Sequence, residues 1–359
     1  MQTNHRPRRA AGRRGARALA VSAALGPALL LGTATAPAAP VRHGERPPLT
    51  GMRVLLSNDD SMRAARPDGA DGRGLYEMRK ALCAAGADVV VLAPWQYMSG
   101  AGTSVSNSGA FAAQRRTRLP ARYAGDCSGA PTRGAVFGLC RTAGTPSCTD
   151  TAPSATPADT VRFALRGGLR ALTGWTAPPD AVVTGINSGP NVSSQVNDSG
   201  TAGAALAAVD ERVPAVAFSA WIADGSTLPS DTTYRAAARY GASLLGRLRA
   251  HRLLSPTHVL NVNYPDTSGG SQPAGERWTR VGDGTVAVHT YRRAADGTFT
   301  VGGALCPQAP GCRGETREDA DSTAVAAGHV SLSALTPDRT APADAETARL
   351  RAYLGGHHS

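Results

Sequence analysis

Two adjacent carboxylates, Asp59 and Asp60, follow the apolar run "RVLLS" directly, with Asn58 before them. Like charges side by side at the end of an apolar strand repel. A hard divalent cation, Mg²⁺ or Mn²⁺, removes that repulsion by taking carboxylate and neutral oxygen ligands. Taken alone, such a pair reads more readily as one acid capping a turn and one solvated by water. Two further stretches carry polar groups that could complete a cation and phosphate site. "GINSGPN" sets Asn187 just past a buried run, where its amide oxygen is a neutral ligand candidate; its plain alternative is an Asx/Gly turn. "SGTAGAA" opens a helical pattern with Ser199, Gly200 and Thr201, whose N–H groups and hydroxyls would face an anion at the positive end of the helix dipole. Its alternative is an ordinary N-cap with small residues for close packing. "MSGAGTS" adds Ser99 and Gly100 in a glycine-containing loop.

Short apolar runs alternate with helical patterns, which predicts an α/β fold with a parallel sheet. "RVLLS" (53–57), "DVVVLAP" (88–94), "DAVVTGI" (180–186), "PAVAFSA" (214–220) and "HVLNVNYP" (258–265) read as strands. Leu75, Met78, Leu82 and Ala85 mark one helix. Thr156-Pro157-Ala158-Asp159 announces a second, with the stripe Val161, Leu165, Leu169 and Leu172. "GTAGAALAAVD" (200–210) is a third, and Tyr234 to Leu248 a fourth. "WTRVGDGTVAVHTY" and "TFTVGG" read as hairpin strands, and "HVSLSAL" (329–335) as a last strand. Residues 122–155, rich in turn formers and holding three cysteines, read as an inserted surface loop. Each candidate loop follows the carboxyl end of a strand, the edge at which open α/β sheets bind ligands.

Together "LLSNDD", "VVVLAPWQYMSGAGTSVS", "VVTGINSGPN", "SGTAGAA" and "HVLNVNYPD" occur in the order and approximate spacing of the SurE family, the survival-protein-E nucleotidases. The chain resembles that family from Met52 to about Pro337, including "DADSTAVAAGHVSLSALTP". The resemblance implies a Rossmann-like α/β core over 52–265. It also implies a C-terminal β-hairpin and final strand region (266–340) used in oligomer contacts, so a homodimer or tetramer. It implies divalent-metal-dependent hydrolysis of nucleoside monophosphates, or of another small phosphate ester. Asp59 and Asp60 would then be metal ligands with Ser99 and Asn187. Asn58 would support the catalytic acids, and Gly100, Ser199, Gly200 and Thr201 would surround the phosphate. The chain departs from the family where Ser61 replaces the usual glycine, where "MRAARPDGADGRG" replaces a shorter segment, where Asp198 precedes the Ser-Gly-Thr, and in the 122–155 insert. His289 and His329 read as structural or surface residues, and no general acid is assigned.

The first 39 residues have the layout of an export signal: "RPRRAAGRRGAR", then "ALAVSAALGPALLLG", then small-residue cleavage options near residues 36–39. A linker (40–51) follows, and a polar tail (341–359) ends the chain. The apolar stretch is short for a membrane anchor. The formal charge of +11 includes six signal arginines, so the exported chain carries about +5. That mildly favours anionic substrates, and no basic run with interleaved aromatics calls for a nucleic-acid partner. Six cysteines suit an oxidising compartment. Cys306 with Cys312 closes a short loop, one pair is expected among Cys127, Cys140 and Cys148, and Cys83 is either a buried thiol or partner to the third. A haloacid-dehalogenase-type phosphatase separates its two acids by one residue and does not match. Competing readings are a non-hydrolytic nucleotide- or phosphate-binding protein, a phosphatase with a non-nucleotide substrate, and a sugar-nucleotide transferase, for which no acceptor site is identified.

Overall fold

The structure, a computed structural model, describes residues 46–63, 72–223, 226–306 and 310–355. The expected export signal lies outside the described residues. In chain order the elements are β1 (Arg53–Ser57), α1 (Arg73–Ala84), β2 (Asp88–Pro94), β3 (Ala110–Arg115), β4 (Val136–Thr142), α2 (Pro157–Phe163), α3 (Leu169–Thr173), β5 (Ala181–Ser188), α4 (Gln195–Asp198) and α5 (Gly200–Asp210). They continue with β6 (Ala215–Ala220), α6 (Asp231–Ala250), β7 (Val259–Tyr264), β8 (Glu276–Trp278), β9 (Ala287–Arg293), β10 (Phe299–Leu305), α7 (Asp321–Ala326), β11 (Val330–Leu335) and α8 (Ala345–Gly355). Nine strands form one sheet in the order β3-β4-β2-β1-β5-β6-β7-β11-β8, while β9 and β10 make a separate antiparallel hairpin. The strands from β4 through β7 run parallel; β3 and β11 are antiparallel to their inner neighbours.

Strand residues alternate between two cores, as a sheet covered on both faces requires. Val54, Leu56, Val89 and Val91 face α1 and α6, whereas Leu55, Val90 and Leu92 face α2 and α5. Each such fully buried aliphatic side chain contributes about 1.5–3 kcal/mol. α5 is unusual in being buried nearly all round, which its alanines and glycines permit. At Gly203 an added Cβ would lie 1.9 Å from the Gly102 carbonyl oxygen, so only glycine admits the loop after β2 so close to this helix.

β1 pairs in parallel with β2 on one side and β5 on the other, so the order in which strands are added reverses between β1 and β5 and a crevice opens beyond their carboxyl ends. Three expectations differ from the structure. Val136–Thr142, inside the stretch read as a loop, is a mostly buried sheet strand. The helix after Thr156 keeps its capping box but breaks at Gly167 (φ +132°), giving α2 and α3 instead of one helix. The long first hairpin segment divides: Glu276–Trp278 joins the main sheet beside β11, and only β9 enters the hairpin.

The stretch following β3 is tied to α1. Arg79, buried in α1, donates to the carbonyls of Gly134, Tyr123, Asp126 and Arg133. Cys83–Cys127, Cys140–Cys148 and Cys306–Cys312 are disulfides. Among the described residues no helix is long and apolar enough to cross a membrane.

Candidate functional site

Past Ser57 the chain leaves the sheet with Asn58, Asp59, Asp60 and Ser61 all buried. Ser61 takes a left-handed φ of +68°, the conformation that makes glycine the usual occupant, and its Oγ accepts the Arg63 N–H. The turn brings both acids to the β1–β5 crevice. Ser188, the last residue of β5, donates its N–H to Asp60 Oδ2 at 2.9 Å. Asn58 Nδ2 donates to the same oxygen at 3.2 Å.

α5 meets the acids end-on. Thr201 Oγ1 lies 2.6 Å from Asp59 Oδ1 and 3.1 Å from Asn58 Oδ1. The helix is capped by Ser199, whose Oγ accepts the Ala202 N–H. Asp198, the residue before this cap, is exposed, and its carbonyl accepts the Gly102 N–H. A Cβ on Gly200 would lie 2.7 Å from Asp59 Cβ and 2.9 Å from Asp59 Oδ2, so glycine is what lets helix and carboxylate touch. Asp59 therefore occupies the positive end of the helix, where the sequence placed a phosphate.

Burial raises the pKa of Asp59; the Thr201 hydroxyl and nearby backbone N–H groups, those of Gly200 and Thr201 included, act in the opposite sense. Asp60 is pushed up to about 8 by burial first and by the Asp59 charge second. Among the described residues no arginine or lysine forms an ion pair with either acid. Asp59 Oδ2 is buried without a hydrogen bond. A buried carboxylate pair with an unpartnered oxygen and no counter-charge fits a bound cation.

Asn187 is the second-to-last residue of β5, and its Nδ2 donates to the Gly189 carbonyl at 2.9 Å, which leaves Oδ1 as the side-chain atom available to a cation. Ser99 and Gly100 lie exposed in the turn after β2. That turn is fixed to the site because Met98 donates its N–H to the Asp59 carbonyl at 2.9 Å. The structure thus brings Asn58, Asp59, Asp60, Asn187 and Thr201 to the crevice by direct or near-neighbour bonds, with Ser199 and Gly200 beside them. Ser99 and Gly100 join only through the backbone bond of Met98, which directly precedes them. Among the described residues no group of three or more His, Cys, Asp or Glu side chains forms a metal cluster. The candidate set is instead two carboxylates with neutral oxygens, a pattern suited to a hard cation that retains water. His289 is in the hairpin and His329 precedes β11, away from the β1, β2 and β5 loops.

Sequence reasoning missed Thr184, whose hydroxyl donates to the Thr201 carbonyl at 2.9 Å, and Ser188. Thr184 reads as an ordinary strand residue, and Ser188 acts through a backbone N–H that no residue type encodes. On the rim, Trp95 Nε1 donates to the Thr149 carbonyl and Gln96 Nε2 to that of Asp150, which also pairs with Arg63.

A family model described as "Survival protein SurE" matches residues 54–287. The chain is 34% identical over 232 residues to the 5'-nucleotidase SurE of Xanthomonas euvesicatoria pv. vesicatoria, covering 65% of this chain and 70% of that protein. It is 32% identical over 216 residues to the 5'-nucleotidase SurE of Desulfovibrio desulfuricans, covering 60% and 66%. A crystal structure of a Sure protein from Aquifex aeolicus shares the fold with a TM-score of 0.56 at 22% identity, over 84% of this chain and 99% of that one.

Proposed function

The chain belongs to the SurE family, and from that premise we propose an exported, divalent-cation-dependent phosphomonoesterase that hydrolyses nucleoside monophosphates to nucleoside and orthophosphate. The observation that carries this reading is the buried Asp59–Asp60 pair facing the N-terminus of α5 with one carboxylate oxygen unpartnered. Asp59, Asp60, Ser99 and Asn187 would hold Mg²⁺ or Mn²⁺, whose chemistry when bound is to polarise a phosphoryl oxygen and acidify water.

The chain's own groups orient the rest. Thr201 fixes Asp59, Asn58 and the Ser188 N–H fix Asp60, and the Met98 N–H ties the turn that carries Ser99 and Gly100 to the Asp59 carbonyl. Gly100 and Ser199 to Thr201 would flank the phosphate, which would share the positive end of the α5 dipole with Asp59. In the overall step a water oxygen bonds to phosphorus, the ester P–O bond breaks, and the departing nucleoside oxygen takes a proton. Three disulfides, one closing a 44-residue separation, support export to an oxidising compartment. The exposed hairpin supports a homo-oligomer.

Phosphate release from AMP tests the reading. The chain is stripped with EDTA, resupplied with Mg²⁺ or Mn²⁺, and compared with Asp59→Asn/Asp60→Asn. Cation-restored release that falls about 100-fold or more in the variant is expected. A folded, cation-binding wild type that releases no phosphate from nucleotides or an aryl phosphate would instead be a binding protein.

A further inference from the structure

The "VLNVNY" run of β7 places two amides where a strand buried on both faces ordinarily carries aliphatic residues. Asn261 and Asn263 are both fully buried. Two residues apart, they project from the same face of β7. Ser219 on β6 and Ser331 on β11 are the strand partners of Asn263, and Ser333 that of Asn261. Burying amides is unfavourable unless hydrogen bonds replace those made to water.

Here the bonds converge on one peptide segment. Asn191 donates its N–H to Asn263 Oδ1 at 2.7 Å. Its carbonyl accepts from Asn261 Nδ2 and from Asn263 Nδ2, each at 3.1 Å. Its own side-chain Nδ2 donates to Ser219 Oγ at 2.8 Å. The two strand amides thus grip both backbone groups of a loop residue as a neighbouring strand would. Two residues further on, Ser193 donates its N–H to Asp321 Oδ1 at 3.0 Å, which holds the far end of the segment.

Upstream the segment runs directly into the site. Asn187 precedes Asn191 by four residues and Ser188 by three, and Ser188 donates to Asp60 Oδ2. The intervening Gly189 carbonyl is held by Asn187 Nδ2, and Pro190 has a fixed φ. Little slack remains between the grip on Asn191 and the Asn187 amide. We propose that Asn261 and Asn263 are positioning residues which, through the Asn191 backbone, hold Asn187 Oδ1 and the Ser188 N–H in register with Asp60 for cation binding. This rests on reading Asp59, Asp60, Ser99 and Asn187 as the cation ligands. A requirement for stability alone would be met by aliphatic residues in β7; a grip on a single ligand-bearing loop requires the amides.

The experiment measures Mn²⁺ affinity of the full chain by titration calorimetry, with kcat and KM for AMP at saturating Mn²⁺ and a melting curve for each variant. Asn263→Leu keeps the branched heavy-atom shape and removes both bonds. Ser219→Ala removes only the acceptor of the Asn191 side chain. Ser331→Ala, beside Asn263 but with a hydroxyl that has no hydrogen bond, is the control. Asn263→Leu is expected to weaken Mn²⁺ binding by about tenfold or more, and to lower kcat by more than it moves KM. Ser219→Ala moves both in the same direction by a smaller factor, and Ser331→Ala matches wild type.

Should Asn263→Leu not fold, Ser219→Ala against Ser331→Ala decides. Wild-type Mn²⁺ affinity in Asn263→Leu and Ser219→Ala, with only the melting temperature lowered, overturns the proposal. A wild type that binds Mn²⁺ without hydrolysing any ester removes the phosphatase reading while the affinity comparison still judges the grip; a wild type that binds no Mn²⁺ overturns both.

Discussion

Asp60 sits beside a second buried carboxylate, and burial followed by repulsion from Asp59 pushes its pKa up to about 8. In the unfolded chain the same group titrates near 3.8. Without a cation, the folded state therefore keeps a proton that the unfolded state gives up from about pH 4 upward, and stability falls as pH rises toward 8. A cation takes the place of that proton. The stripped chain is expected to melt lower at pH 8 than at pH 5.5, and Mn²⁺ to raise the melting temperature more at pH 8. Each tenfold gain in affinity under excess cation adds about 1.4 kcal/mol. Equal Mn²⁺ shifts at the two pH values, read by scanning calorimetry, would count against a cation bound by this pair. Gly200 gives a second prediction at this scale. Gly200→Ala places a methyl 2.9 Å from Asp59 Oδ2 and should lower Mn²⁺ affinity about tenfold or more with the fold retained; unchanged affinity by calorimetry would show that Asp59 is not held at this distance. The two acids were legible because their types and adjacency are unusual after an apolar strand. The contacts that restrain them, through Thr184 and the Ser188 N–H, were not, because one looks like any strand residue and the other is backbone.

Among the elements, α1 and the stretch that follows β3 behave as one unit. The guanidinium of Arg79 satisfies four carbonyls from Tyr123 to Gly134, and burial lowers its pKa from the usual arginine value. Cys83–Cys127 adds a covalent tie across a separation of 44 residues, against six for Cys306–Cys312. Chain-entropy reasoning gives about 4 kcal/mol for the longer closure and about 2 kcal/mol for the shorter. Cys83→Ala/Cys127→Ala should therefore lose about twice the stability that Cys306→Ala/Cys312→Ala loses in urea titrations; equal losses would show that the longer loop is already ordered in the unfolded chain. β1, β2 and α5 were readable to the residue, because long aliphatic or Ala/Gly runs end sharply at polar turns. β4 was not, since "VFGLCRT" is interrupted by a glycine and set among Gly, Ser and Thr, and its sheet partners lie elsewhere in the chain. The break between α2 and α3 was hidden for a different reason: Val161, Leu165, Leu169 and Leu172 keep helical spacing on both sides of Gly167.

For the whole molecule, the hairpin is the feature that leaves large apolar side chains exposed. Tyr291 pairs with Val301, and Phe299 lies two residues along the same face, all three being exposed. Such a ribbon is poorly stable without a surface to pack on. Phe299→Asp/Val301→Asp should convert a dimer or larger assembly to monomer in sedimentation equilibrium; an unchanged mass would place the contact elsewhere. The proposed assembly and the proposed export were legible only through composition and resemblance, because both depend on surfaces of other molecules. Variation should also be unevenly distributed over this molecule. α5 has small residues pressed against the sheet, Asp59 and the Gly102 loop, so nearly every enlargement there collides with backbone or with the acids. The opposite rim, from Arg63 through Gln96 to Asp150, is built from long side chains and loop carbonyls that can exchange partners without moving the acids. A lineage or a laboratory library seeking new phosphate esters would therefore inherit α5 unchanged and draw its diversity from the rim.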